Sequence, residues 1–415
     1  MHVVPEDSGL WKFDQTADAA NKASELLQKD LEQHHVFFNN DGFHNHIVHH
    51  ILALYGTGAG PQALQRGYDN NAGYQRRVLK SHDRVIEDLK SWENAQKYLG
   101  KEQYYPDFLQ FFQREIEAKG WQAVLNEYVF AGTESADDML ARLFAGFLHP
   151  LIQLMYGVEW AQPAIVAEAL AQTCVHRNDL KEFLFASEKR ANESANTPMP
   201  SIVSLLDAVY ADQKLANSAQ AGDSNKIRDG VLKRAKEEML AITSQVKVRP
   251  EELEEKTVEM FNACVHHVNS SPLFLAFNAE PAFSLESKRR LLEYKIRMDL
   301  VQYAARSAPA LPLEAIVSYT PKEKPGEIKQ ASDLVSRIHN LHDDGHAIKL
   351  ARAAGLCQNI SKKYEDKDWM RIKGEDLWMK VHHMVVDSVE GPGPNWVRGA
   401  GLDEMWKDVP DQAKL

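Results

Sequence analysis

Histidines on apolar segments are the feature that most constrains the fold of this chain. Four of them fall within the seven positions from His44 to His50, and an apolar run follows directly. Imidazole is the commonest protein ligand for metals, and helices that each deliver one or two histidines to one point build a buried metal centre. Other histidines lie far along the chain, at His149, His266, His267, His339, His342 and His346. This distribution favours an all-α fold with a buried metal site between helices.

The spacing of apolar residues predicts helices along most of the chain, and alternating strand patterns are almost absent. The glycine-rich run 56–61 ends the helix that carries the first histidines. We expect a single large helical domain over residues 1–415, with residues 1–40 partly peripheral and residues 391–415 forming a tail packed on the body. The predicted helices span residues 17–33, 44–55, 75–97, 105–119, 137–156, 164–172 and 179–194, then Pro250 to about Asn269, and a helical pair over 327–362.

Charge and cysteine content limit the partners and the compartment. A formal charge of −11 argues against a nucleic-acid partner. The chain has three cysteines, Cys174, Cys264 and Cys357, without a CxxC pair, which fits a reducing compartment. Residues 1–10 mix charges with a proline and show no signal peptide. We therefore expect a cytoplasmic protein.

The apolar segment 139–158 is long enough to span a membrane, which takes about 20 residues. It carries Arg142, His149 and Gln153, and a charge in the middle of a bilayer is costly. We interpret the segment as a buried core helix, and we expect no membrane association.

The first histidine cluster can present two imidazoles on one helix face. Residues three or four apart face the same way, so His46 shares a face with either His49 or His50. One or two of these rings would bind a metal while the others hold the ligands by hydrogen bonds. The plain alternative is a set of hydrogen-bonded core or surface histidines. Four imidazoles in so short a stretch make a functional role the better interpretation.

Two later histidine positions each have a plain alternative. His149 lies among apolar neighbours, and a buried ring there needs a partner, either a carbonyl oxygen or a metal. His266 and His267 come at the end of a predicted helix, where an interaction with the helix dipole would explain them equally well.

The last histidine group is the most regular. If the helix is continuous, one face carries residues at spacings of three, four and three, namely His339, His342, His346 and Lys349. If Asp343 or Asp344 instead caps a new helix, His346 and Lys349 still share a face of its first turn. The plain alternative is a solvated stripe.

Several familiar catalytic motifs are missing from the sequence. Neither HExxH nor a facial two-histidine, one-carboxylate pattern can be read from it, and GxSxG and P-loop motifs do not occur. The run 56–60 follows a helix, so it is no dinucleotide fingerprint. Redox chemistry would therefore rest on a metal as oxygen activator. His82-Asp83 and His342-Asp343 leave open a metal-dependent phosphohydrolase of the HD type, and a binding protein with a structural metal is the third hypothesis.

Five separated motifs, in order from about residue 40 to the C-terminus, resemble the questin oxidase-like family. They are HNHIVHHILALYGTGAGP (His44–Pro61), LHPLIQLMYGVEW (Leu148–Trp160), HHVNSS (His266–Ser271), DDGHAIKLARA (Asp343–Ala353), and MVVDSV with WVRGAGLDEMWKDVP (Met384–Val389, Trp396–Pro410). This family acts in fungal aromatic polyketide pathways and takes in a Baeyer–Villiger-type oxidoreductase. The resemblance implies an oxygenase that opens the quinone ring of an anthraquinone such as questin with dioxygen and NADPH.

The resemblance also implies a non-haem ferrous iron with histidine-rich coordination. Matching by motif gives four candidate ligands, namely His46, His149, His266 and His346. Histidine three residues before Asn269 fits the family pattern best, which favours His266 over His267. Asn269 itself stands where that pattern leads us to expect threonine.

Four neutral imidazoles would leave the charge of ferrous iron uncompensated in a buried site. A buried lysine with a lowered pKa can react with carbon dioxide to give an anionic carbamate. Lys349 is the first choice for such a carboxylated lysine, and Lys380 is the second. We expect one coordination position to stay open for dioxygen. Three more histidines are candidates for catalytic or hydrogen-bonding roles around the metal, namely His49, His50 and His342.

Overall fold

The computed structural model of the protein describes residues 1–194, 197–263, 270–322, 328, 330–390, 396–397, 399–407 and 409. Within these ranges the chain forms helices and no β-strand, and isolated bridges join only His34 to Arg77 and Phe37 to His44. The all-α prediction is confirmed.

The α-helices are α1 (Ala17–Gln33), α2 (Ile47–Tyr55), α3 (Pro61–Ala72), α4 (Asp83–Asp88), α5 (Tyr105–Lys119), α6 (Trp121–Tyr128), α7 (Glu134–Arg142), α8 (His149–Glu159), α9 (Pro163–Val175), α10 (Lys181–Glu193), α11 (Ile202–Ala211), α12 (Gln213–Ala216), α13 (Leu232–Arg234), α14 (Lys236–Thr243), α15 (Leu253–Ala263), α16 (Leu273–Ala279), α17 (Leu285–Ala304), α18 (Leu313–Val317), α19 (Ala331–Ile338), α20 (His346–Ser361) and α21 (Glu375–Val389). Short 3-10 helices cover Trp92–Lys97, Glu102–Tyr104, Gly146–Leu148, Pro250–Glu252, Lys362–Tyr364 and Asp403–Trp406, and a π-helical turn covers Lys226–Val231.

The helices group into two compact units, and each unit draws on three separate stretches of chain. The first comprises Met1–Lys181, Pro272–Lys288 and Val335–Leu356, and the second comprises Glu182–Ser271, Arg289–Leu334 and Cys357–Leu415. Neither unit is continuous in sequence. The expected single domain over residues 1–415 stays a prediction.

Within the first unit, α2 packs against α1, α3 and α8, and α8 packs in turn against α9 and α16. Every residue of α2 is buried, including His49 and His50. A helix that is apolar on all sides belongs inside a protein, so burial follows from its sequence, IVHHILALY. Its two imidazoles are therefore enclosed by neighbouring helices.

Two predicted helices match the structure at both ends, because their ends are encoded locally. The hydroxyl of Thr16 accepts a hydrogen bond from Ala19 N at the start of α1, which is a helix cap. Gly120, with a φ of 82°, follows the end of α5 and adopts a left-handed conformation that glycine tolerates.

Two other predicted helices are wrong in extent. Residues 75–97 contain only α4 and the 3-10 helix Trp92–Lys97, and residues 137–156 are split between α7 and α8. Between α7 and α8, Gly146, Phe147 and Leu148 have φ values of 53°, 60° and 67°. Apolar residues continue through this break, so their spacing gives no sign of it.

The helical pair near the C-terminus is interrupted, as one of the two alternatives anticipated. α19 ends at Ile338 and α20 begins at His346. Asp343 caps the new helix, since its carboxylate accepts hydrogen bonds from Gly345 N and Ala347 N, each 2.9 Å long.

Among the described helices, none is by itself long and apolar enough to cross a membrane. The pair Glu134–Arg142 and Gly146–Glu159 is long and apolar enough when taken together, but it bends by 67° at its break.

Candidate metal centre

Two histidines from different helices meet at the centre of the candidate site. His46 immediately precedes α2, and His149 is the first residue of α8. Their imidazole planes are nearly parallel, at 2°, and their Nε2 atoms lie 2.8 Å apart. The structure therefore brings together two of the four predicted ligands, although 103 positions separate them in sequence.

The other ring nitrogen of each histidine is committed as a hydrogen-bond donor. Nδ1 of His149 donates to the carbonyl oxygen of Gly146 over 2.7 Å. Nδ1 of His46 donates to the carboxylate of Asp344 over 3.0 Å. Because each neutral imidazole carries one ring proton, both Nε2 atoms are left with lone pairs that face each other.

Both rings resist protonation, so a shared proton does not relieve this contact at neutral pH. Burial and then the nearby Lys349 lower the pKa of His46 to about 3. Burial and then His46 lower the pKa of His149 well below its usual value. Two nitrogens bound to one metal at right angles, each about 2.1 Å from it, lie about 3 Å apart. The pair therefore fits a metal cation.

Asp344 joins a third imidazole to this pair. Its other carboxylate oxygen accepts a hydrogen bond from Nδ1 of His346. Burial alone would raise the pKa of Asp344, but the hydrogen bonds from His346 and His46 outweigh burial and lower it. Ligand atoms of His46, Asp344 and His346 lie within 4.8 Å of one another. The side chains of His346 and Asp344 are 33% and 35% exposed, so this edge of the site faces water.

Lys349 lies on α20 three residues after His346 and is buried. Burial lowers the pKa of Lys349, although the carboxylates of Asp344 and Asp343 oppose the effect. After burial, the positive charge of Lys349 lowers the pKa of His46 and of His49. Lys349 as the modified lysine stays a prediction.

Lys380, the second choice for that lysine, lies on α21 in the second unit. Its ammonium group donates a hydrogen bond to the carbonyl oxygen of Val317. Lys380 as the second choice stays a prediction.

The remaining predicted histidines have different locations. His49 and His50 are buried on α2, where Nδ1 of His50 accepts a hydrogen bond from Asn71 and Nε2 of His49 lies 2.7 Å from Gln153 Oε1. His342 is exposed in the loop before α20, so the structure does not bring it into the buried cluster. His266 and His267 lie outside the described residues.

Asp344 is a possible helix cap in the sequence and is not among the residues predicted for the site. The sequence does carry a signal, because Asp344 lies two residues before His346 in the last histidine group. Which of Asp343 and Asp344 reaches the imidazoles depends on the turn before α20: Asp343 caps the helix, and Asp344 is left to bridge His46 and His346. His46, Asp344 and His346 thus form a group of two histidines and one carboxylate that cannot be read from the sequence.

The two HD dipeptides do not build such a group in the described residues. Nδ1 of His82 pairs with Asp107 at 2.9 Å, and neighbouring Asp83 is exposed. His342 is exposed while Asp343 caps α20.

The sequence profile of the questin oxidase-like family matches residues 43–265 and 263–354. The chain belongs to the questin oxidase-like family. The Baeyer-Villiger monooxygenase dmxR6 of Cryptosporiopsis sp. (strain 8999) is 36% identical, over 96% of this chain and 95% of its own length. Oxidoreductase AflY of Aspergillus parasiticus is 36% identical, over 92% of this chain and 81% of its own. A questin oxidase of Aspergillus fumigatus is 34% identical, over 94% of each chain.

Membership of the questin oxidase-like family makes the chain an oxidoreductase, since these relatives all carry the names of oxidising enzymes. The matched span contains the candidate site of the first unit, namely His46, His149, Asp344, His346 and Lys349, and it ends before Lys380.

Proposed function

We propose that the protein is a non-haem iron oxygenase that uses dioxygen to cleave a quinone ring of an anthraquinone in fungal aromatic polyketide metabolism. The observation that carries this proposal is the pair of neutral imidazoles, His46 and His149, whose Nε2 atoms face each other 2.8 Å apart. The substrate class follows from the family, because two relatives are named questin oxidase.

In this proposal His46, His149 and His346 hold the metal, and His266 stays a predicted fourth ligand. Ferrous iron, when bound, would supply the redox centre that activates dioxygen. Asp344 and the carbonyl of Gly146 keep the ligand rings in the tautomer with a lone pair on Nε2, because each accepts a hydrogen bond from a ring Nδ1–H.

The charge of the metal can be balanced in two ways. Asp344 is an ionised carboxylate at the edge of the cluster. Lys349 would add a second negative charge if its neutral amine bonds to the carbon of carbon dioxide and loses a proton, which gives a carbamate. The lowered pKa of Lys349 makes the neutral amine more accessible.

Aromatic side chains near the exposed edge of the site suit a planar substrate. The ring of Phe38 packs against Phe43 and against Tyr74, with centroids 5.9 Å and 5.1 Å away. Phe43 and Tyr74 are themselves exposed, at 37% and 44%. The hydroxyl of Tyr74 donates a hydrogen bond to Oδ1 of Asn71, whose amide nitrogen in turn donates to Nδ1 of His50. Burial and then Asp344 and Asp343 raise the pKa of Tyr74. We assign this patch to substrate binding.

NADPH stays a proposed reductant. The chain has no nucleotide fingerprint, so NADPH would bind loosely or serve a partner reductase.

The test combines metal analysis with an oxygen-dependence assay. Protein purified without oxygen is analysed for iron, then given an anthraquinone such as questin with and without dioxygen. We expect about one iron per chain and ring-opened product only with dioxygen. Full activity of metal-free protein, or phosphate release from a phosphoester without oxygen, would contradict the proposal. Bound iron without turnover of any anthraquinone would instead favour a binding protein.

A further inference from the structure

One buried nitrogen of the histidine cluster is not used by the proposed metal ligands. His49 is 1% exposed, and within the described part of the chain its Nδ1 has no hydrogen-bond partner. The ring of His49 lies beside the two facing imidazoles, with centroids 5.9 Å from that of His46 and 6.4 Å from that of His149. Buried polar atoms are nearly always paired in folded proteins, so an unpaired one calls for a partner such as a water, an ion or a bound ligand.

The other nitrogen of His49 begins a chain of hydrogen bonds. Nε2 of His49 lies 2.7 Å from Oε1 of Gln153, an oxygen that can only accept. Nε2 of Gln153 donates to Oε2 of Glu168 over 3.0 Å. The carboxyl of Glu168 thus orients the amide of Gln153, and the amide oxygen keeps the ring proton of His49 on Nε2.

The helices hold this chain of three residues firmly. Gln153 lies on α8, four residues after His149, so the two side chains share a face of that helix. Glu168 comes from α9, which packs against α8. Tyr156, also on α8, stacks on the His49 ring with centroids 5.3 Å apart and planes at 14°.

The chain of hydrogen bonds ends at the carboxyl group of Glu168, and a carboxyl group is costly to bury. Glu168 is almost fully enclosed, and burial and then Asp30 raise its pKa to about 8. A buried polar network of this kind fixes one arrangement of its members only when each is satisfied. Here the unsatisfied atom is Nδ1 of His49.

We propose that Gln153 and Glu168 are positioning residues, which lock His49 in the Nε2–H tautomer so that its Nδ1 accepts a hydrogen bond from a hydroxyl group of the bound aromatic substrate. This inference rests on the proposed function for the identity of the substrate. It adds a specificity element: a hydroxylated quinone would be preferred to the same ring system with its hydroxyls methylated. A methyl ether cannot donate, so Nδ1 would stay unpaired.

The tautomer is tested without any substrate. Full-length protein labelled with ¹⁵N-histidine is studied by NMR at neutral pH, and the His49 signals are assigned by their loss in His49→Gln. We expect shifts of a ring protonated on Nε2, which disappear or average in Gln153→Leu and Glu168→Leu. Gln153→Glu and Glu168→Gln keep an acceptor oxygen, so each should retain the signal of a His49 ring protonated on Nε2. A wild-type ring protonated on Nδ1 would overturn the inference.

The substrate contact is tested by binding alone. Dissociation constants are measured for 2,6-dihydroxyanthraquinone, whose hydroxyls lie away from the quinone carbonyls and are free to donate, and for its dimethyl ether. We expect wild type and Gln153→Glu to prefer the dihydroxy compound by about tenfold, and Gln153→Leu to lose that preference. Equal preferences in wild type and Gln153→Leu would overturn the substrate contact while leaving the oxygenase proposal intact. If neither quinone binds the wild-type protein, the proposed function and the contact fail together, and the NMR result still decides the tautomer.

Discussion

At the scale of single residues, hydrogen bonds on one side of each imidazole decide what the other side can bind. Nδ1 of His46 donates to Asp344, and Nδ1 of His149 donates to the carbonyl of Gly146. The Nε2 atom of each ring therefore keeps a lone pair that can bind a metal. Outer partners of this kind orient metal-binding histidines in many proteins. The proposed site therefore depends on residues that never touch the metal.

Replacing one of the facing imidazoles should abolish metal binding. We expect His46→Ala and His149→Ala each to lower iron affinity by at least about 100-fold, since losing a ligand costs more than losing an outer partner. Metal analysis after dialysis and circular dichroism measure the loss and the fold. His2→Ala, which removes an exposed imidazole, is the matched control. Iron retained at the wild-type level in either variant would exclude that histidine as a ligand.

The protonation of Glu168 should make stability depend on pH. Burial raises the pKa of Glu168 from 4.5 to about 8. Between these two pH values the folded protein therefore keeps a proton on Glu168 that the unfolded chain has lost. Stability from this group is complete below about pH 4.5 and falls as pH rises towards 8.

Glu168→Gln removes that dependence while keeping an acceptor. The difference in unfolding free energy between the variant and wild type should be about 2 kcal/mol more favourable to the variant at pH 7.5 than at pH 5.5. Urea unfolding at the two pH values measures the difference. The same offset at both pH values would mean that Glu168 is ionised in the folded protein.

At the scale of elements, the turn before α8 positions a proposed ligand at some conformational cost. Phe147 and Leu148 both adopt left-handed backbone conformations, which side chains with a Cβ atom disfavour. His149 follows directly as the first residue of α8, and Pro150 lies in the first turn of that helix. Strained residues often cluster at functional sites.

Glycine should be preferred to alanine at position 147. Phe147 is 43% exposed, so either substitution sacrifices little buried surface. Because only glycine tolerates a φ of 60° without strain, we expect Phe147→Gly to be more stable than Phe147→Ala by about 1 kcal/mol. Urea unfolding of the two variants tests this, and an alanine variant of equal or greater stability would show that the turn is not strained.

At the scale of the whole molecule, distant stretches of chain combine in each unit. In the first unit, Glu159 at the end of α8 pairs with Arg352 of α20 and also accepts a hydrogen bond from Leu10 N over 2.9 Å. Both charged side chains are almost completely buried, at 1% and 2% exposed. This ion pair thus links the N-terminal segment, α8 and α20, although 193 positions separate its two charges.

Breaking this pair on one side should destabilise the protein strongly. Arg352→Met would leave the carboxylate of Glu159 buried without its partner, at a cost of about 3 kcal/mol. Thermal or urea unfolding measures the change. The double variant Arg352→Met with Glu159→Gln removes the stranded charge and should recover part of the loss. If the double variant is as unstable as the sum of the single ones, the pair contributes through packing alone.

The all-α class, the ends of α1 and α5, and the choice of His46, His149, His346 and Lys349 as candidates followed from the sequence and its family resemblance. Apolar spacing and caps act over a few residues, so a sequence displays them directly. Asp344 as the bridge and Gln153 with Glu168 as partners of His49 emerged only in three dimensions. His46 meets His149 and Asp344 across 103 and 298 positions. The left-handed turn at 146–148 interrupts an apolar pattern that itself shows no break. Packing decides such contacts, because which side chains meet depends on how distant helices are placed.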